Sequence, residues 1–145
     1  MTISKKLKQL KNLDFAEQRL LLLCLFLLPL IALSLKAVGF QRTRLRLERY
    51  LPKKAPSVPE DEQLATAKRV ARIVSIAAYN GPYRANCLKV SLASWWLLAR
   101  RGITTELKIG VNKENGNFDA HAWVEYHGLA LTDLSDPRSR FSTLI

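Results

Sequence analysis

Asn86-Cys87-Leu88-Lys89-Val90-Ser91-Leu92-Ala93-Ser94-Trp95-Trp96-Leu97-Leu98-Ala99-Arg100 reads as one helix with a cysteine as its first residue. Leu88, Leu92, Trp95 and Ala99 share one helical face, and Cys87, Ser91, Ser94 and Leu98 share the next. Only Lys89 and the terminal Arg100-Arg101 are clearly polar, so the helix is expected to be largely buried. Gly102 follows, suited to the left-handed residue that ends many helices. A cysteine in the first turn sits where backbone N–H groups lack intrahelical partners and the dipole is positive, and both effects favour a thiolate. The plain alternative is a small buried hydrophobe.

Downstream of this helix the period changes to two. Thr105, Leu107, Ile109 and Val111 alternate with Thr104, Glu106, Lys108 and Gly110, which predicts a half-buried strand. Asn112 to Asn117 is a polar turn, a second strand reads from Ala120 to Glu125, and a third from Leu129 to Leu134. A helix followed by an antiparallel meander is α+β. If Tyr126-His127-Gly128 is a three-residue hairpin loop, Glu125 faces Leu129, Trp123 faces Leu131 and His121 faces Asp133. A two-residue loop shifts that register by one.

Cys87, His121 and Asp133 are the residue types of thiol nucleophilic catalysis. The histidine takes the thiol proton, the carboxylate orients the imidazole, and the Cys87 backbone N–H is placed to bind an oxyanion. Asp136, before Pro137, is a rival acid, and His127 belongs to the loop and to solvent. Cys24 lies in an apolar run and reads as packing. The two cysteines and two histidines have no close-pair spacing for a metal, and no glycine-rich phosphate loop is present. No cofactor is therefore expected, and a nucleotide requirement is not legible.

Of the formal charge of +11, +9 lies in residues 1–54, where twelve basic residues face three acidic ones. The basic character is thus confined to the N-terminal third, which argues against a nucleic-acid function for the remainder. Asp14 and Glu17 resemble a capping box opening a helix. Leu20 to Leu35 is a 16-residue apolar run containing Pro29, shorter than the roughly 20 residues of a membrane span. A buried or surface-seated helix is the first reading and a span the second. Gln41 to Lys54 continues as a basic amphipathic segment. Pro52 to Pro59 reads as a linker. Ser57 with Glu60 suggests another cap, before a helix to Tyr79 that buries Leu64, Ala67, Ala71, Val74 and Ala78. Two regions are expected: a helical N-terminal region, 1–54, and a catalytic core, 55–145. The compartment is expected to be cytoplasmic, with residues 20–40 as the segment that would associate with a membrane.

Several blocks resemble the leader-peptidase B proteins of lasso peptide biosynthesis, which are transglutaminase-like cysteine peptidases related to microcin-maturation enzymes. They are Cys87-Leu88, Arg100-Arg101-Gly102-Ile103, Leu107-Lys108-Ile109-Gly110-Val111, Phe118-Asp119-Ala120-His121-Ala122-Trp123-Val124-Glu125, Gly128 and Asp133. The leucine-rich segment with Val38-Gly39-Phe40-Gln41-Arg42 resembles their N-terminal region. The resemblance implies a transglutaminase/papain-like core, with the nucleophile's helix packed on an antiparallel sheet behind N-terminal helices. It implies Cys87 as nucleophile, His121 as base and Asp133 as acid. The implied reaction removes the leader from a ribosomally made lasso precursor. The implied partners are that precursor, a separate small leader-recognition protein and a macrolactam cyclase acting next. Two other readings remain: an acyltransferase or transglutaminase using the same triad, and a non-catalytic, membrane-associated basic adaptor.

Overall fold

The computed structural model describes residues 11–54, 56–80, 86–112, 119–132 and 142–143. Among the described residues, four helices precede a small sheet: α1 (Phe15–Val38), α2 (Phe40–Arg49), α3 (Glu60–Asn80), α4 (Cys87–Arg100), β1 (Glu106–Asn112), β2 (Asp119–Tyr126), β3 (Leu129–Ala130) and β4 (Ser142–Thr143).

α1 opens as its capping pair requires, with the Asp14 side chain accepting from the Glu17 backbone N–H at 2.8 Å. It is one continuous helix through Pro29. Its length and composition would allow it to cross a membrane. Here Leu20, Leu21, Cys24, Leu27, Leu28 and Ile31 are buried in a core shared with α3, α4 and the sheet. Glu17 adds ion pairs to Arg69 at 3.6 Å and Arg72 at 3.4 Å on α3. Gly39, at φ 85°, separates α1 from α2 in a conformation that disfavours a side chain. Thr43 then ties the two helices together: its hydroxyl donates to the Gly39 carbonyl at 2.7 Å and lies 2.9 Å from Ser34 Oγ.

α3 begins at Glu60, so Pro59 rather than Ser57 occupies the cap position. Glu60, Asp61 and Glu62 place negative charge at the positive end of its dipole. Ala67, Val70, Ala71, Ile73, Val74, Ala77 and Ala78 are buried, whereas Leu64 is 37% exposed. α4 is buried continuously from Val90 to Leu98. It ends in a Schellman motif: Ile103 N–H donates to the Leu98 carbonyl and Gly102 N–H to that of Ala99, both at 3.0 Å. Gly102 is left-handed at φ 77°, as its position in the sequence predicts.

The sheet order is β3-β2-β1-β4, antiparallel throughout. Leu107 pairs with Val124, and Leu131 N–H donates to the Val124 carbonyl at 2.8 Å, forming a row across three segments. That row, with Tyr126, closes the core under the helices.

The β2–β3 hairpin differs from expectation. Tyr126 pairs with Leu129 and Glu125 with Ala130, leaving a two-residue turn of His127 (φ 46°) and Gly128 (φ 81°). Positive φ at both positions is the type I′ pattern, whose twist matches the flanking strands. The three-residue reading allowed only Gly128 a left-handed backbone, but His127 adopts one too. The register therefore shifts by one, and Glu125 does not face Leu129. β3 is also shorter than Leu129–Leu134, because Thr132 Oγ1 accepts from the Val124 N–H at 3.3 Å in place of a backbone carbonyl. β4, on the outer side of β1, was not foreseen; it pairs Thr143 with Gly110 and Ser142 with Val111.

Candidate active site

Cys87 is the first residue of α4, and Asn86 is its cap. The Asn86 side chain accepts from Lys89 N–H at 3.2 Å, and its carbonyl takes the first helical bond, from Val90 N–H, at 3.1 Å. The N–H groups of Cys87 and Leu88 lie ahead of the helical ladder. The thiol is free and half-buried. Cys24, also free, is completely buried on α1. Burial pushes the Cys24 thiol up to about 12, with the nearby Arg101 charge opposing the shift. Of the two thiols, Cys87 is the one open to a substrate.

α4 packs against β2 and β1, so the elements carrying Cys87 and His121 are direct neighbours. His121 pairs with Gly110 of β1, which carries no side chain at that position. The ring is half-buried and stacks on Trp123, with centroids 5.9 Å apart and planes 22° apart. Trp123 is fully buried, and its indole N–H donates to Glu125 Oε1 at 2.9 Å. His121, Trp123 and Glu125 share one face of β2, opposite the face through which Val124 and Tyr126 join the helical core. Lys108 lies across from Trp123 on β1 and pairs with Glu106 at 2.9 Å. Hydrogen bonding to Glu106 raises the Lys108 ammonium above its ordinary value, and the Glu125 charge adds to this.

Cys87 and His121 are therefore on adjoining elements, which meet through the Val124 and Tyr126 face of β2, while His121 shares the other face with Trp123. Asp133 and its rival Asp136 lie outside the described residues. The shifted hairpin removes the cross-strand argument that set Asp133 opposite His121. His127 is exposed at the turn, edge-on to Tyr126, as expected of a loop residue. Sequence reasoning missed Glu125 as the anchor of Trp123. The available signal was a carboxylate two residues from a tryptophan in an otherwise apolar strand. Among the described residues no three histidine, cysteine, aspartate or glutamate side chains stand close enough to share a metal ion.

A model of the transglutaminase-like superfamily matches residues 27–145, from the second half of α1 through the sheet. No curated protein and no solved structure matches the chain. That match takes in most of the sequence, including the cysteine at the start of α4 and the histidine of β2, and the chain belongs to the transglutaminase-like superfamily.

Proposed function

We propose that this protein is a cysteine peptidase that removes the leader from a ribosomally synthesised lasso peptide precursor, with Cys87 as nucleophile, His121 as base and Asp133 as acid. The observation that carries the reading is Cys87 at the start of a buried helix packed on the strand of His121, in a chain of this superfamily. The assignment of Asp133 and of the lasso precursor rests on the resemblance of the sequence blocks.

In this reaction Cys87 Sγ gives its proton to the imidazole and attacks the carbonyl carbon at the leader–core junction. The oxyanion that forms is met by backbone N–H groups at the start of α4. Collapse expels the core's amino group, which takes the proton from His121, and leaves the leader as a thioester on Cys87. Water, deprotonated by His121, then releases the leader acid and the free thiol. A separate leader-recognition protein presents the precursor, and a macrolactam cyclase uses the freed amine.

The test is incubation of the chain with a lasso precursor and its recognition protein, followed by mass spectrometry. Cleavage that is absent in Cys87→Ala supports the reading, and cleavage by folded Cys87→Ala refutes it. Adding a primary amine separates the transglutaminase alternative, because that enzyme would leave the amine covalently joined to the acyl product.

A further inference from the structure

The outward side of α1 is largely apolar, above all from Leu22 to Leu33. Phe15 (74% exposed), Leu22 (58%), Phe26 (71%), Leu30 (62%) and Leu33 (65%) are all open to solvent. Their spacing places them in one stripe about 27 Å long at 1.5 Å per residue. A groove of about 820 Å³ runs beside the stripe between α1, α2 and α4, and Leu30 belongs to both. Its floor includes Leu27, Ile31 and Trp96, and its rim carries Arg46, Arg49 and Arg100. The wall is anchored, because Trp96 Nε1 donates to the Leu47 carbonyl at 2.8 Å. At the other end of the stripe Arg19 lies over Phe15, 5.8 Å from the ring centroid.

A ridge of leucine and phenylalanine, with Arg19 set between Phe15 and Leu22 and further arginines alongside, matches the boundary between acyl chains and anionic headgroups. The +9 charge of residues 1–54 adds long-range attraction to such a surface. The opposite face of α1 is fixed in the core, and Glu17 is paired to Arg69 and Arg72, so a bilayer could surround the helix only if that core came apart. We propose that the protein docks on an anionic bilayer with α1 lying in the plane of the interface. The exposed stripe enters the acyl boundary, and Arg46, Arg49 and Arg100 meet headgroup phosphates. The proposal is independent of the chemistry at Cys87.

The experiment is co-sedimentation of the full chain with phosphatidylglycerol or phosphatidylcholine vesicles at low and high salt. The native protein should bind the anionic vesicles and be released by salt. Phe26→Asp with Leu30→Asp, at exposed positions, should reduce binding at least about tenfold while leaving the circular dichroism unchanged. Arg46→Gln and Arg49→Gln should each weaken binding about fivefold. Failure to bind anionic vesicles, or equal binding to both vesicle types, would overturn the proposal. So would unchanged binding by the aspartate variant, or a self-association that the same variant abolishes. Attachment that resists salt and yields only to detergent would indicate a span and overturn it as well.

Discussion

The imidazole of His121 and the indole of Trp123 stack at 5.9 Å, and the indole is itself held by the buried carboxylate of Glu125. The candidate base is thus positioned by a side chain that has its own anchor two residues further along the strand. Glu125→Ala removes the acceptor of a buried N–H and should cost about 1–3 kcal/mol of stability. Glu125→Gln keeps an acceptor and should cost less. Urea unfolding of both variants checks the order, and a Glu125→Ala midpoint equal to the native one would contradict it.

Cys24 gives the fold an alkaline weakness. In the folded chain burial holds its thiol up to about 12, while the unfolded thiol titrates near its ordinary value of 9.0. The folded state therefore keeps a proton that the unfolded state releases, and stability falls as pH rises through that interval. Below it the contribution is complete. Melting temperatures measured from neutral pH upward should decline for the native protein and less steeply for Cys24→Ala.

Two buried hydroxyls, Ser91 Oγ and Thr105 Oγ1, have no hydrogen-bond partner among the described residues. An unpaired buried hydroxyl costs on the order of 1–3 kcal/mol, and a near-isosteric apolar replacement removes that cost. Thr105→Val should raise the unfolding free energy by about 1 kcal/mol. A lower denaturant midpoint than native would count against this.

The leucine-rich helix is structural whatever else it does. Removing residues 1–54 takes away Leu20, Leu21, Leu27, Leu28 and Ile31, all buried against α3 and α4. At about 1.5–3 kcal/mol for each side chain, the loss is roughly the whole stability of a small domain. Residues 55–145 expressed alone should be insoluble or unfolded, which circular dichroism of the fragment would reveal. A soluble fragment with native helix content would show that the core stands without α1.

The helices were legible because their signals are local. Asp14 with Glu17, the apolar spacing of α4, and Gly102 each act within a turn or two, and each appears in the fold as read. The first two strands were legible from alternation. The hairpin register was not, because it depended on whether His127 would take a left-handed backbone, and side-chain sterics alone make that uncommon outside glycine. β4 is a two-residue strand paired with β1, too short for any periodicity in its own segment to announce it. Of the candidate residues, Cys87 was legible as a helix start and His121 as a strand residue. The anchoring of Trp123 by Glu125 arises from side-chain packing, which strand alternation does not encode.

Pairing of Cys87 with His121 is tested most directly by alkylation of the thiol. The rate of carboxamidomethylation of Cys87 at neutral pH is followed by mass spectrometry in the native protein and in His121→Ala. In the proposed mechanism the imidazole takes the thiol proton, so the native rate should exceed the variant's by at least about tenfold, with Cys24 unreactive in both. Equal rates at Cys87 in a folded His121→Ala protein would contradict the pairing and the peptidase built on it.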